Sequence, residues 1–147
     1  MPATAREMTR RICLLALAAA PLRADARQDI LDLFTNLSAA LSSGDPVQFI
    51  QMFDSAMPGY HMLEINVAAL ARQAQVKSSI EILSDEGDDA LRKVDLDWYI
   101  NIVQTENGAA SAQRREIIHC RVAREKKKWR IVSLEPLAFF APPTPSP

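Results

Sequence analysis

Residue types that carry metal, redox or nucleophilic chemistry are scarce in this 147-residue sequence, which has two cysteines, two histidines and four glycines. The histidines, His61 and His119, are too far apart for the short spacing of a zinc-binding pair, and the dispersed glycines form no phosphate-binding loop. No motif of the sequence indicates a Ser-His-Asp triad. We therefore expect no metal site, no cofactor and no catalytic residue of these kinds.

An excess of positive charge is also missing. The sequence has 17 lysines and arginines against 18 aspartates and glutamates, and its aromatic content is 6%. A nucleic-acid-binding domain is usually basic and places aromatic residues among the basic ones. The one strongly basic stretch, "REKKKWR" at 124–130, is typical of a solvated turn between strands. We expect no nucleic acid as a partner.

The N-terminal apolar run is too short to span a bilayer. It extends over eleven residues, from Ile12 to Leu22, whereas a membrane-spanning helix needs about 20. Arg10 and Arg11 precede it, and Ala24-Asp25-Ala26 follows it, which is the order of a secretory signal peptide. We expect residues 1–26 to be removed and the protein to be exported to a bacterial periplasm or secreted, with no transmembrane segment left. The alternative is a buried N-terminal helix.

Cysteine usage fits that prediction. Removal of residues 1–26 takes away Cys13 and leaves Cys120 alone, so an internal disulfide is excluded. Cys120 alternates with Ile118 and Val122, which predicts a buried, inert thiol and not a nucleophile.

Three segments of the first half have the periodicity of helices. In residues 28–42 the apolar positions recur at spacings of three and four, and Gly44 is suited to end that helix. Asp45 followed by Pro46 predicts the capped start of a second, short helix. A third helix is predicted from Tyr60 to Gln73.

The period then changes from 3.6 to 2. Alternation predicts strands over residues 76–82, 90–105, 113–124 and 129–140. The last strand is expected to bend near Pro136, Asn107-Gly108 to form a hairpin turn, and 141–147 to be a proline-rich disordered tail. The predicted fold class is α+β, with three helices packed on one face of a curved, four-stranded antiparallel sheet.

This order resembles the nuclear transport factor 2-like superfamily, a cone-shaped fold that includes ketosteroid isomerase, scytalone dehydratase and the polyketide cyclases. The segments that carry the resemblance are "ILDLFTNLSAALSSGD", "KVDLDWYINIVQ" and "REIIHCRVAREKKKWRIVSLEPLAFF". It covers Asp29 to Phe140 and implies one domain over 27–140. It also implies a pocket between the helices and the concave sheet, in which the enzymes of the superfamily keep a general base or an Asp–His pair.

The predicted lining of that pocket is apolar. Strand alternation places Ile100, Ile118 and Ile131 on the inner face, and the helices contribute Phe34, Phe53 and Met57. Such a lining suits a small apolar ligand more than proton transfer. The residues that we expect to bind it are Tyr60, His61, Trp98, Cys120, Trp129 and Ser133.

The outer face of the sheet is polar. Asp95, Asp97 and Tyr99 on one strand are within reach of Arg115, His119 and Arg121 on the next. These residue types also fit a catalytic Asp-Tyr-His cluster, but an exposed sheet face seldom provides the cleft that shifts a catalytic pKa. Many relatives dimerise through this face. We expect a homodimer interface that contains Asp97, Tyr99, His119 and Arg121.

The sequence therefore predicts an exported, non-catalytic domain that binds a small apolar ligand or a protein partner. One alternative is a small isomerase, dehydratase or cyclase that uses Asp97, Tyr60 or His61 as a pocket acid or base. A further alternative is a scaffold subunit of an envelope assembly.

Overall fold

The computed structural model describes residues 21–105 and 111–143, with side chains from Asp25 onward. The apolar run of the predicted signal peptide, the Asn107-Gly108 turn and the last four residues of the tail lie outside the described residues, except for the start of the first helix. The boundaries at residues 26 and 140 stay predictions.

Three helices form the first half, as predicted. They are α1 (Pro21–Ser42), α2 (Pro46–Gln51) and α3 (Tyr60–Gln73). Gly44 adopts a φ of 69° after α1, a conformation that glycine tolerates without strain. The Asp45 carboxylate then accepts a hydrogen bond from the Gln48 N–H at 3.0 Å, which satisfies one of the free donors at the start of α2.

The second half is a four-stranded antiparallel sheet in the order of the chain. Its strands are β1 (Ala74–Gly87), β2 (Leu91–Gln104), β3 (Ser111–Glu125) and β4 (Lys128–Glu135). Because β1 and β4 are the two edges, each inner strand pairs on both sides. This arrangement confirms the predicted α+β class with three helices and four strands.

The helices pack on one face of the sheet. On β2, each even-numbered side chain from Val94 to Ile102 is fully buried, and these side chains belong to one core with Phe34 of α1, Phe49 of α2 and Leu63 of α3. Burying a side chain of this size stabilises the fold by roughly 1.5 to 3 kcal/mol. No helix among residues 21–105 and 111–143 combines the length and the apolar character that crossing a membrane requires.

A β-bulge in the last hairpin changes which face β4 presents. Arg121 pairs with Ser133, but its neighbour Val122 pairs with Ile131, so Val132 is inserted without a partner. Ser133 therefore shares the outer face with Arg121, while Leu134 lies inward opposite Cys120. The prediction that Ser133 lines the inner face is wrong, because strict alternation fails across the bulge.

The last predicted strand is also shorter than expected. β4 ends at Glu135, and Leu137–Phe140 forms a 3₁₀ helix. Pro136 has no N–H to donate to a strand ladder, so the strand ends before it. The two phenylalanines of this 3₁₀ helix, Phe139 and Phe140, are buried in the core.

Candidate functional site

The space between the helices and the concave sheet is packed with aromatic rings. The Trp98 ring lies at the centre of the inner face, with ring centroids 5.0 Å from Phe140, 6.0 Å from Phe139 and 6.5 Å from Phe49. Phe49 also lies 5.3 Å from Phe53. These side chains fill the place where the resemblance implies a pocket.

The C-terminal 3₁₀ helix is held in that place by Arg114. Its Nη1 donates hydrogen bonds to the carbonyl oxygens of Phe139 at 2.8 Å and Ala141 at 2.6 Å. Partial burial lowers the pKa of the Arg114 guanidinium from its usual value. We call these two hydrogen bonds the Arg114 clamp. The sequence did not predict it, because the Phe139 and Ala141 carbonyls lie more than 20 residues from Arg114 along the chain.

Cys120 is buried and chemically quiet. Its exposed fraction is 1%, and burial raises the pKa of its thiol well above the usual value. A thiolate is therefore strongly disfavoured at neutral pH. The predicted inert thiol agrees with this geometry.

The remaining residues predicted to bind a ligand do not converge on one cavity. Tyr60 begins α3 and is half-buried against the core, whereas the His61 side chain is 89% exposed. The His61 ring lies 5.7 Å from the Tyr60 ring, and its Nδ1 lies 3.9 Å from the Glu64 carboxylate. Trp129 is buried at the edge of the sheet beside the β3–β4 turn, and its indole N–H has no hydrogen-bond partner among the described residues. Trp98 and Cys120 share the inner face, but neither His61 nor Ser133 joins them.

A buried ion pair was missed by the sequence analysis. Arg92 continues the inward alternation of β2 and is 7% exposed; its Nε donates to the Asp85 carboxylate at 2.7 Å, and its Nη1 to the Asp88 carbonyl at 3.0 Å. The buried positions of β2 alternate down to Val94. Extending this alternation by one step to Arg92 could have identified the buried arginine from the sequence. Because both charges are paired, this site has no free acid or base.

On the outer face, Asp97 and Arg115 form a bidentate pair. The Asp97 carboxylate accepts from Nε at 3.0 Å and from Nη2 at 2.6 Å. The guanidinium lowers the pKa of Asp97, and the carboxylate raises the pKa of Arg115. Ile117, directly opposite Asp97, is 54% exposed. An ion pair between an aspartate of β2 and an arginine of β3 was predicted, and it is present between Asp97 and Arg115.

A second set of polar side chains forms a row across all four strands of the outer face. Strand pairing places Ser84, Asp95, His119 and Glu135 in one lateral row. Asp95 lies 2.7 Å from His119 Nδ1 and accepts from the Ser84 hydroxyl at 3.2 Å; the hydrogen bond with His119 is the main cause that lowers the Asp95 pKa. The Asp95 carboxylate thus lies between Ser84 and His119. A nucleophilic serine must contact the histidine that takes its proton, and this arrangement does not provide that contact.

The other residues predicted at an interface also lie on this face. Tyr99 pairs across the strands with Ser79 and Arg115, and Arg121 is exposed between Lys93 and Ser133. In the described part of the chain, no three histidine, cysteine or carboxylate side chains are arranged to hold a metal ion. The face can therefore make ion pairs and hydrogen bonds.

Grooves occur at the rim of the domain. One of about 440 Å³ lies where α1 and α3 end beside β1, and one of about 640 Å³ lies between α1 and the β3–β4 turn. A groove of about 300 Å³ runs between α1 and β1. Trp98 and Cys120 line none of these three grooves.

Comparisons with known proteins identify the fold. No model of a known protein family matches the chain, and no curated protein matches it in sequence. A putative scytalone dehydratase from Novosphingobium aromaticivorans superposes with a TM-score of 0.71 at 9% identity, over 78% of this chain and 85% of that chain. A nuclear transport factor 2 superfamily protein from Salmonella enterica superposes at 0.63 with 15% identity, over 76% and 89%.

A hexachlorocyclohexane dehydrochlorinase from Novosphingobium barchaimii gives a similar result, with a TM-score of 0.64 at 14% identity over 78% of this chain and 87% of that chain. Sequence identities this low establish the fold and carry no activity with them. The order of three helices followed by a four-stranded antiparallel sheet agrees with these structural matches. The chain therefore has the nuclear transport factor 2-like fold that the resemblance over Asp29 to Phe140 implies.

Proposed function

We propose that the protein is an exported, non-catalytic interaction domain that forms a homodimer through the outer face of its sheet. The observation that carries the proposal is the distribution of polar groups. The carboxylates and the histidine suited to acid–base chemistry lie on the outer face and bind one another, while aromatic rings fill the space behind the sheet.

The enzyme alternative lacks support in that space. Among the described residues, the buried ionisable side chains on the inner face are Cys120, whose pKa is raised, and Arg92, which is paired with Asp85. Neither is a free base near neutral pH, and the Glu116 carboxylate opposite Trp98 is exposed and not enclosed in a cleft. The dehydratase and dehydrochlorinase relatives share only the fold with this chain.

The outer face has features that favour a protein partner. The described helices pack on the opposite face, and Asp97 and Arg115 orient each other through two hydrogen bonds. Fixed charges lose little side-chain entropy on binding, and the exposed Ile117 beside them supplies apolar area. A two-fold axis through this face brings the same patch together from both protomers.

The test is the oligomeric state of the purified protein by native mass spectrometry and light scattering over a dilution series. Ile117→Asp places a second carboxylate beside Asp97 and is expected to give a monomer. Ile65→Asp is the matched control, since Ile65 is 57% exposed on α3, away from the sheet. A monomeric wild-type protein at every concentration, or equal loss of the dimer in both variants, would overturn the proposal.

A further inference from the structure

The groove between α1 and β1 has apolar walls and a floor of hydroxyl groups. Leu31 and Phe34 form the helix side, and Ile80 and Ile82 form the strand side. Leu31 is 47% exposed at the mouth, whereas Phe34 is 1% exposed at the base. None of the described residues that line this groove carries a charge.

Three serines in the lining of the groove form one hydrogen-bonded group, in which Ser38 and Ser78 are half-buried and Ser42 is exposed. The Ser38 and Ser78 hydroxyl oxygens are 2.8 Å apart, Trp98 Nε1 donates to Ser78 Oγ at 2.7 Å, and the Ser78 N–H donates to Ser42 Oγ at 2.9 Å. The fourth hydroxyl, that of Thr35, already donates to the Leu31 carbonyl at 2.7 Å. Trp98 thus connects the filled interior to this groove.

The hydrogens of the three serines can be assigned one by one. Only one hydroxyl hydrogen lies between Ser38 and Ser78, whichever of the two donates. The other hydrogen of that pair, and the hydrogen of Ser42, have no acceptor among residues 21–105 and 111–143. Two hydroxyl donors are therefore available to a molecule in the groove.

We propose that this groove binds a small neutral molecule with an apolar body and an acceptor oxygen, such as a ketone or ester carbonyl. The apolar walls take the body, and the serine donors take the oxygen. An anion is disfavoured because the described lining offers no cationic side chain to offset its lost hydration. A volume of about 300 Å³ is at the small end of ligand sites, so the ligand is small.

The Trp98 indole N–H reports on occupancy, because its acceptor is the Ser78 oxygen at the floor. The probe is 2-indanone, titrated into ¹⁵N-labelled full-length protein while the indole N–H resonances are followed by NMR. Trp129→Phe assigns the second resonance, and it removes an N–H that has no partner within 21–105 and 111–143. Indane-2-carboxylate, which has the same ring system and a negative charge, is the matched control ligand.

We expect a saturable shift of the Trp98 resonance with 2-indanone and a much weaker one with the carboxylate. Ala39→Phe, at an exposed position that lines the groove, is expected to weaken binding by about tenfold or more by filling it. Asn36→Phe, also exposed on α1 but outside this groove, should leave it unchanged. The inference is overturned if 2-indanone gives no saturable shift at millimolar concentration, if Ala39→Phe binds like wild type, or if both ligands bind equally.

Discussion

Trp98 and Phe140 pack edge to face at the centre of the domain, with their ring centroids 5.0 Å apart. One ring comes from the middle of the sheet and the other from the C-terminal 3₁₀ helix, and both are fully buried. The C-terminal segment is thus part of the core. The aromatic rings of the sheet and of the C-terminal 3₁₀ helix occupy the interior of the cone together.

Removing the Phe140 ring should therefore destabilise the whole domain. Phe140→Ala leaves a cavity beside Trp98 and is expected to lower the free energy of unfolding by roughly 3 to 5 kcal/mol. Urea denaturation measures it. Met62→Ala, at a position that is 58% exposed on α3, should change stability by no more than about 0.5 kcal/mol. Similar small effects in both variants would show that the segment does not contribute to the core.

The Arg114 clamp makes a separate contribution. Arg114→Met keeps the length of the side chain but removes both hydrogen bonds to the Phe139 and Ala141 carbonyls. The expected loss is about 1.5 to 3 kcal/mol, because hydrogen bonds from a charged donor are lost and a buried carbonyl is left unpaired. Arg72→Met, on the exposed side of α3, is the control. Hydrogen exchange should speed up in 137–141 of the Arg114 variant; unchanged exchange there would contradict the clamp.

Stability should fall in acid because of the outer-face carboxylates. The folded state lowers the pKa of Asp95 and Asp97, so the unfolded state binds more protons as the pH drops below the usual aspartate range of about 4. Their stabilisation is therefore present above that range and is lost as the pH falls through their folded pKa values. Urea titrations at a series of pH values measure this loss.

The variant Asp95→Asn/Asp97→Asn should flatten the acid limb of that profile. Asp29→Asn removes an exposed carboxylate that forms no ion pair within the described chain, and it should leave the limb unchanged. If the double variant keeps the wild-type slope, the two ion pairs do not contribute to acid stability.

Much of the fold could be predicted, because it depends on local patterns. Asp95 and Tyr99 alternate with Leu96 and Trp98, and this alternation predicted both faces of β2 correctly. Asp45-Pro46 predicted the start of α2. Alternation identifies a face only while strand pairing is regular. It failed at Ser133, where a bulge of one residue reverses the face of the rest of β4.

The candidate sites were harder to predict because they depend on contacts between distant segments. Ser38 of α1 meets Ser78 of β1 across 40 residues, and Arg114 meets Phe139 across 25. Serines in a helix and in a strand have no periodicity that links them. The packing of a 3₁₀ helix against Trp98 likewise has no local signature in the sequence.

The Cys120 thiol should be unreactive in the folded protein. Cys13→Ser removes the other cysteine, so that any thiol signal comes from Cys120. Because Cys120 is buried and its pKa is raised, Ellman's reagent should label it only as fast as the domain unfolds. Subdenaturing urea should accelerate labelling in parallel with unfolding. Rapid stoichiometric labelling in native buffer would contradict the buried thiol and reopen a reactive role for this residue.

Export and processing test the N-terminal boundary. Intact-mass analysis of protein secreted from a bacterial host should find a chain that begins at Arg27, after the small residues Ala24 and Ala26. In the uncleaved chain, α1 starts at Pro21 and Ala26 is 3% exposed, so a folded precursor would hide the cleavage site and processing should precede folding. Ala24→Leu should block cleavage, whereas Ala20→Leu, inside the apolar run, should not. A stable uncleaved wild-type chain in the cytoplasm would contradict export and support the buried N-terminal helix instead.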